Sequence, residues 1–432
     1  MAQLQAGGAS RDITPDRDLP HYYGSTLHRG DGCPLTVNAV CLRCGDIEAA
    51  LVSIDTLFVD RPHVLAMREE IALATGIPGE NLCLAATHSH STPTLGPSFI
   101  VGEQADPVYL DQVSAGVRAA VVAAQEALRP AKLFAGNCPT PGIEFCRRVL
   151  RPDGQAVIGP QAAGHPDWTP EGQPDRTMAW AMLERADGQA LATIFAWPVH
   201  NNACTDGWYD ADLFGWAREA MRGRLGAQAT VVTFAAPAGD VIWFDPVQDD
   251  FPRGDDFARD VGEVLAGRIM DARAAAAPMA VTRLRVGRDL RAIPDRAWED
   301  STWCEDDCRG SSERARVWAR ERYDPESEAV RSRGATECVV EVQGFGLGDF
   351  AIVTNPAELF CEFGTRIRAG SPCAVTMPVE LANGACGYVP YARSFDHGGY
   401  ETHRTCWTSR LIPEAGEIIT RHSLELLERL RR

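Results

Sequence analysis

Two histidines at a spacing of two, His88 and His90, are the side chains in this chain best suited to chemistry. They stand in the stretch Leu-Ala-Ala-Thr-His-Ser-His-Ser, residues 84–91, at the end of the apolar run 82–86, which reads as a buried strand. On an extended segment this spacing places both imidazoles on one face. Because neutral imidazole binds metals and also titrates near neutral pH, one histidine can hold a metal while the other moves protons. The alternative is two unrelated histidines in a polar loop.

Four more polar side chains lie at the ends of apolar runs, where active sites are often found. His200 follows a run that ends in Trp-Pro-Val, and Glu358 follows Asn-Pro-Ala between a predicted strand and a predicted helix. Tyr388 lies in a turn-rich loop, residues 381–390, and Tyr400 follows two glycines. Each alone also has a structural explanation as a hydrogen-bonded histidine, a helix N-terminal acid or a core tyrosine.

A short basic segment is present on an otherwise acidic chain. Residues 145–154 contain Arg147, Arg148 and Arg151, whereas the formal net charge of the 432-residue chain is −17. Nucleic acids and anionic membrane surfaces bind basic patches, so the overall charge argues against both as partners. A local basic pocket is compatible with this charge.

Strands alternate with helices along most of the chain, which predicts a layered α/β or α+β fold with mixed central sheets flanked by helices. Predicted strands cover residues 7–15, 35–42, 49–55, 82–86, 131–136, 177–183, 190–199, 230–235, 279–290, 338–343, 350–354 and 374–381. Predicted helices cover residues 61–75, 109–128, 211–225, 256–276, 359–368 and 413–430. The highly charged residues 292–334 are interpreted as a helical insertion or lid, and no internal repeat is found in the sequence.

Composition predicts a globular protein without a membrane anchor. Hydrophobic residues make up 45% of the chain and charged residues 23%, which suits a large buried core. The amino terminus lacks the apolar segment of a signal peptide, and no stretch reaches the ~18 apolar residues of a membrane span, so a cytoplasmic location is expected. The Cys41/Cys44 and Cys304/Cys308 pairs each lack the second pair of a zinc ribbon, and most of the 14 cysteines are expected to be reduced core residues.

Several motifs together resemble the zinc-dependent N-terminal catalytic domain of the neutral, non-lysosomal ceramidases. Residues 6–15, Ala-Gly-Gly-Ala-Ser-Arg-Asp-Ile-Thr-Pro, are similar to the opening of that family. Residues 87–91, Thr-His-Ser-His-Ser, resemble its THTHS motif, and residues 239–241, Gly-Asp-Val, match the start of its GDVSPN motif. Gly-Tyr-Val at 387–389 with Tyr400 further on is similar to its pair of spaced tyrosines. The motifs occur in the family's order over most of the chain.

The resemblance implies one zinc ion per chain, bound by His88, His200, Glu358 and Tyr388. Zinc accepts nitrogen and oxygen ligands and, with one position open, lowers the pKa of a bound water toward about 7. A phenol, with an ordinary pKa of about 10, becomes a ligand only because the charge of the metal favours the phenolate.

The resemblance also implies the catalytic residues. His90 would be the general acid and base, and Tyr400 with one arginine would act on the carbonyl group of the substrate. Arg147 is the better match for that arginine, because Cys-Arg stands where the family has Asn-Arg, and Arg148 stays an alternative.

Departures from the family pattern fall at features that face the substrate or a membrane. Thr-Pro-Thr-Leu at 92–95 replaces a glycine-rich continuation, and Ile242-Trp243-Phe244 replaces Ser-Pro-Asn. The chain also ends where the family's immunoglobulin-like domain would begin, and it lacks a signal peptide. Trp243 and Phe244 would either close an acyl groove or pack in the core.

We therefore expect a single catalytic domain over residues 1–432, a zinc-dependent amidohydrolase that cleaves the carbon–nitrogen amide bond of a small or medium-sized substrate with metal-activated water. An ester or lactone hydrolase with the same zinc site, a ceramidase proper acting on N-acylsphingosine, and a catalytically silent binding domain are the alternatives. A small-molecule amide is the expected partner, and homo-oligomerisation is left open.

Overall fold

The computed structural model describes residues 3–22, 25–96, 105–205, 207–297, 334–405 and 408–432, with short stretches between residues 317 and 332. In this part of the chain mixed sheets are flanked by helices, which confirms the predicted α/β fold class. The helix predicted at residues 61–75 is found as Arg61–Thr75, and Gly76 ends it in the left-handed conformation with a φ of 74°. The assignment of residues 1–432 to one domain stays a prediction.

The three largest sheets share one topology, so we describe the fold as three units. In each unit three strands form an antiparallel meander, and the third strand runs parallel to a fourth strand at the sheet edge. One helix connects the third strand to the fourth, and a second helix follows the fourth strand. The structure therefore contains a topological repeat that the sequence does not show.

The strands and helices of the units have the following bounds. The first unit contains Gln5–Asp12 (β1), Thr36–Cys44 (β2), Ile47–Ile54 (β3), Arg61–Thr75 (α1), Leu82–Ala86 (β4) and Pro107–Glu126 (α2). The second contains Lys132–Pro139 (β5), Thr177–Glu184 (β6), Ala190–Trp197 (β7), Asp212–Leu225 (α3), Thr230–Ala235 (β8) and Asp255–Ala275 (α4). The third contains Leu284–Pro294 (β9), Glu337–Leu347 (β10), Phe350–Thr354 (β11), Cys361–Gly370 (α5), Val375–Val379 (β12) and Ala415–Arg431 (α6).

Short strands extend these sheets or form small ribbons between the units. They are Leu19–Pro20 with Thr26–Leu27, Arg129–Pro130 beside β1, Phe145–Cys146 with Val241–Ile242, Arg148–Leu150 between Ala156–Ile158 and Thr169–Pro170, and Glu358–Leu359 with Tyr388–Val389.

One apolar cluster holds the three units together. It takes side chains from all three sheets, such as Val40 of β2, Ile194 of β7 and Ile352 of β11, so the inner faces of the sheets pack against one another. Many members are alanines, among them Ala6 and Ala179, and their small side chains allow the sheets to approach closely. The outer face of each sheet packs against the two helices of its own unit in a separate cluster.

The third unit differs most from the sequence predictions. Its first strand was expected at residues 279–290 but is found at Leu284–Pro294, where it pairs with β10 along its whole length. It lies at the edge of the sheet, so charged side chains such as Arg288 and Asp289 reach solvent without breaking the strand. The charged insertion predicted at 292–334 therefore begins after Pro294, and its residues 298–316 lie outside the described residues.

Two expectations from composition can be compared with the structure. None of the helices in the described part of the chain combines the length and the apolar character that crossing a bilayer requires. None of the described cysteines forms a disulfide, and most of them are buried, as predicted. Cys304 and Cys308 lie outside the described residues.

A buried ion pair joins the first and second units. Arg218 of α3 contacts Asp55, at the end of β3, through Nη2–Oδ2 at 2.7 Å and Nη1–Oδ1 at 3.2 Å, and both side chains are fully buried. The same carboxylate accepts hydrogen bonds from the backbone N–H of Thr36 and the hydroxyl of Thr87. These partners all donate hydrogen bonds to the carboxylate, and they compensate the negative charge of Asp55 where water does not reach it.

We predict that Arg218→Ala lowers the free energy of unfolding by about 3–5 kcal/mol, because it leaves a buried carboxylate without its cation. Arg224→Ala is the matched control, since Arg224 lies on the same helix and pairs with the exposed Glu263, and it should cost about 1 kcal/mol or less. Urea denaturation followed by circular dichroism measures both. Equal unfolding midpoints for the two variants would contradict the role given to the Asp55 pair.

Candidate metal centre and active site

The four predicted zinc ligands come from strand ends in all three units. His88 follows β4, His200 follows β7, and Glu358 follows β11. Tyr388 lies in the loop after β12, and the ribbon Glu358–Leu359 with Tyr388–Val389 places Tyr388 directly opposite Glu358. Because the carboxyl ends of the parallel strands meet at this place, side chains far apart in sequence become neighbours.

The two histidines are oriented by backbone carbonyls. His88 Nδ1 lies 3.0 Å from the carbonyl oxygen of Leu57, and His200 Nδ1 lies 3.0 Å from that of Ala238. Each Nδ1 therefore carries a proton and donates a hydrogen bond to the carbonyl, and in the neutral imidazole this leaves Nε2 of each ring unprotonated. These Nε2 atoms face each other at 3.3 Å. Two lone pairs cannot hydrogen-bond to each other, so a cation between them would stabilise the arrangement.

Three further distances between donor atoms are close to those around a tetrahedral ion. Glu358 Oε2 lies 3.3 Å from His88 Nε2 and 3.6 Å from His200 Nε2, and the hydroxyl of Tyr388 lies 3.3 Å from His200 Nε2. Ligands about 2.0–2.1 Å from zinc in a tetrahedron are about 3.3–3.4 Å apart. In the described part of the chain the buried Glu358 Oε2 receives no hydrogen bond. The nitrogen and oxygen donors present therefore fit a zinc ion.

The protonation states agree with a ligand set. Burial and the charge of Arg147 lower the pKa of His200 to about 3, which keeps its imidazole neutral. Burial alone would raise the pKa of Glu358, but a proton or another cation beside His88 and His200 lowers that pKa well below its ordinary value. Burial raises the pKa of Tyr388 well above its ordinary value, so the phenol keeps its proton unless a cation binds beside it.

His90 lies beside this set, but not for the reason inferred from the sequence. The strand ends at Ala86, and His88 adopts a left-handed conformation with a φ of 62°, so the segment that carries the two histidines is not extended. The turn at His88 still brings the rings together, with centroids 4.9 Å apart in an edge-on arrangement. One ring nitrogen from each of His88, His90 and His200 lies within 4.8 Å of the others. Burial, and then His88 and His200, lower the pKa of His90 well below its ordinary value, so His90 is a neutral base.

The two candidate arginines both bind Glu401 but differ in their other partners. Arg147 Nη1 donates a hydrogen bond to His200 Nε2 at 2.7 Å, and its guanidinium carbon lies 5.0 Å from the centre of the Tyr388 ring. Arg148 instead binds Glu171 at 2.5 Å. The structure thus brings Arg147, and not Arg148, to the candidate site. A metal ion can bind the Nε2 lone pair of His200 only if Arg147 no longer donates its hydrogen bond to that atom.

Tyr400 completes the group of predicted residues. Its ring lies 5.6 Å from the ring of Tyr388 and 6.0 Å from the guanidinium carbon of Arg147. It begins the short helical turn Tyr400–Thr402. Burial opposes the charge of Arg147, but Tyr388 and Glu401 raise its pKa well above the ordinary value, so a permanent cation faces both tyrosines. All seven residues predicted for metal binding and catalysis therefore lie in one place, and their roles stay predictions.

Sequence reasoning missed the residues that hold these side chains in place. Glu380 Oε2 accepts hydrogen bonds from the N–H of Leu359 at 2.9 Å and of Ala238 at 3.3 Å, and so links two loops that carry or orient ligands. Asp240 accepts from the N–H of Cys361, at the start of α5, and from the hydroxyl of Tyr391. The Gly-Asp-Val motif pointed to Asp240, whereas no pattern pointed to Glu380.

A second group of potential ligands lies in the described part of the chain. One donor atom from each of Cys204, Asp210 and Asp255 lies within 4.8 Å of the others. Asp210 accepts hydrogen bonds from the backbone N–H of Cys33 and of Asp212, which accounts for its burial without a metal. These contacts give the group a structural role at the start of α3.

Comparison with solved structures identifies the fold. A structure described as ceramidase complexed with C2 matches with a TM-score of 0.75 at 16% identity and covers 99% of this chain and 76% of that chain. The crystal structure of neutral ceramidase from Pseudomonas aeruginosa matches with a TM-score of 0.73 at 17% identity and covers 100% of this chain and 76% of that one. No protein-family model and no curated protein matches the chain. The mixed α/β fold is thus the one found in neutral ceramidases, and the predicted resemblance is confirmed at the level of the fold.

We predict that the purified protein contains about one zinc ion per chain and that His88→Ala loses it, because His88 supplies one of four converging donor atoms. Elemental analysis after dialysis measures the content. His28→Ala is the matched control, since His28 is exposed and pairs with Asp18 rather than with a proposed ligand, and it should keep its zinc. Equal zinc in His88→Ala and wild type would remove His88 from the ligand set.

Proposed function

We propose that the protein is a zinc-dependent amidohydrolase that cleaves the carbon–nitrogen bond of a small or medium-sized amide. The observation that carries this proposal is the convergence of His88 Nε2, His200 Nε2, Glu358 Oε2 and the Tyr388 hydroxyl at 3.3–3.6 Å, with Arg147 beside them. None of the ligands expected from the ceramidase resemblance is missing, which argues against a catalytically silent domain. When bound, zinc would supply a Lewis acid and a water of lowered pKa.

His90 is suited to the proton transfers that amide cleavage needs. Its imidazole is neutral and lies edge-on to His88. A neutral imidazole can take a proton from the attacking water and later deliver it to the departing amine. An amine is a poor leaving group until it is protonated, so the same residue would act first as base and then as acid.

Arg147 and Tyr400 are suited to binding the carbonyl oxygen. The Arg147 guanidinium is charged and largely buried, and the Tyr400 ring lies within 6.0 Å of it. Charge develops on the carbonyl oxygen as the tetrahedral intermediate forms, and a donor held in place for that charge is worth about 3 kcal/mol. Burial strengthens the interaction because little water screens it.

The aromatic residues that replace the family's Ser-Pro-Asn form a fixed cluster near the site. Trp243 is only 5% exposed, packs against Phe251 and Phe257, and donates its indole N–H to Asn202 Oδ1 at 2.7 Å. Phe244 stacks on Phe251 with ring centres 3.9 Å apart. Of the two predicted roles, core packing therefore describes Trp243. Asn202 follows the ligand His200 by two residues, and bulky rings fixed beside this loop support a substrate shorter than a long-chain ceramide.

We expect His90→Ala to keep its zinc and to lose about 10²- to 10⁴-fold in kcat, the usual contribution of general acid–base catalysis. The loss should be smaller for a matched ester, because an alcohol leaves with less help from an acid. Steady-state kinetics and elemental analysis on the same preparation test this. Loss of metal from His90→Ala would instead make His90 a ligand.

We expect kcat/KM to fall as the acyl chain of an N-acyl amide grows from two to sixteen carbons. An open groove would instead gain up to about 0.8 kcal/mol for each buried methylene group. The measurement is kcat/KM over the series, with matched esters of the same acyl chains to compare the two bond types. A steady rise to the longest chain would show a lipid amidase and contradict the proposed substrate size.

A further inference from the structure

Glu401 is a buried carboxylate next to the candidate active site, and no step of the proposed reaction uses it directly. We infer that Glu401 is a positioning residue that fixes Arg147, and the segment carrying Tyr400, for work on the substrate carbonyl. This inference rests on the proposed amidohydrolase function. It adds a residue that keeps Arg147 of the second unit in a fixed position relative to the Tyr400 segment of the third unit.

The contacts of Glu401 are short and use both carboxylate oxygens. Arg147 Nε donates to Oε1 at 2.6 Å, and Arg148 Nη1 donates to Oε2 at 2.6 Å. The Glu401 side chain is fully buried, and the two arginine side chains are 8% and 0% exposed. One carboxylate therefore pairs with two guanidinium groups in a place that solvent does not reach. Such charge-assisted hydrogen bonds are the strong ones in proteins.

These contacts leave one arm of Arg147 available to a substrate. Its Nε is bound by Glu401 and its Nη1 by His200, whereas its Nη2 is buried and has no hydrogen-bond partner among the described residues. A buried donor without a partner is costly, so it favours an oxygen atom of a ligand. The hydrogen bond from Arg147 Nε to Glu401 restricts where Nη2 lies, because the guanidinium group is planar.

Further contacts fix the position of Arg148, which in turn binds Glu401. Arg148 also binds Glu171 through Nε at 2.5 Å and the carbonyl oxygen of Gly398 through Nη2 at 2.8 Å. His397 Nδ1 lies 2.6 Å from the second oxygen of Glu171. The network joins the connection between β5 and β6 of the second unit to the segment just before Tyr400 in the third unit. Since Glu401 is the next residue after Tyr400, one carboxylate anchors both predicted carbonyl donors.

The test compares two carboxamide variants of the zinc-loaded protein. Glu401→Gln removes the charge that holds Arg147, and we expect kcat to fall about 10²-fold, close to the loss of one oxyanion donor, with a smaller change in KM. Glu171→Gln is the matched control, because the Glu171 side chain is only 2% exposed and binds Arg148 but not Arg147, and it should change kcat by less than about 5-fold. Both variants should keep the zinc content of the wild type.

A double-mutant cycle separates positioning from general destabilisation. In an Arg147→Ala background, Glu401→Gln should cost no further kcat, because the residue through which it acts is gone. If Glu401→Gln does not fold, Glu401→Asp takes its place, since it keeps the charge but withdraws the carboxylate from the arginines. Equal losses in the Glu401 and Glu171 variants, or additive losses in the cycle, would overturn the inference.

A structural readout distinguishes this failure from failure of the proposed function. If the wild type hydrolyses none of the amides, the amidohydrolase proposal falls, and crystal structures of the two variants still decide the role of Glu401. We expect the Arg147 guanidinium to leave the face of Tyr388 in Glu401→Gln and to stay there in Glu171→Gln. An unmoved Arg147 in both variants would show that Glu401 does not position it.

Discussion

The site depends on one electrostatic constraint: acceptor atoms face one another in a buried place. The Nδ1–H groups of His88 and His200 each donate a hydrogen bond to a backbone carbonyl, so their Nε2 atoms face inward toward Glu358. Only a cation or a donor can stabilise such a cluster, and in this structure the guanidinium of Arg147 supplies a donor to His200. A zinc ion at the centre of the donor set would take over this role. The guanidinium group of Arg147 and the proposed zinc ion would thus satisfy the same acceptor atom of His200.

The threefold topology explains how these groups meet. Each unit contributes a parallel strand pair with its helix, and the carboxyl ends of these pairs carry His88, His200 and Glu358. The sheets pack through small side chains around a shared core, which brings the strand ends within reach of one another. The rigid sheets place the ligands, while the longer connections bring Arg147 and Tyr400. Precise placement of this kind is what a metal site and its neighbouring donors require.

Much of this could be predicted from the sequence, because the strong signals are local. The periodicity of residues 61–75 and the glycine after them predicted α1, and the apolar runs predicted most strands within a few residues. The residues of the site were found through motifs and their order. What could not be predicted depends on contacts between units: the left-handed His88, the different partners of Arg147 and Arg148, and the bridging Glu401. Charged side chains along β9 concealed where that strand begins and ends, because an edge strand tolerates charges that a central one excludes.

The central claim is that four particular atoms form a zinc site. A crystal structure of the zinc-loaded protein, with anomalous diffraction recorded on both sides of the zinc absorption edge, tests it most directly. We predict one anomalous peak, at full occupancy, surrounded by His88 Nε2, His200 Nε2, Glu358 Oε2 and the Tyr388 hydroxyl, with His90 outside the ligand set. A peak held by His88, His90 and His200 without Glu358, or no peak in this place, would contradict the account.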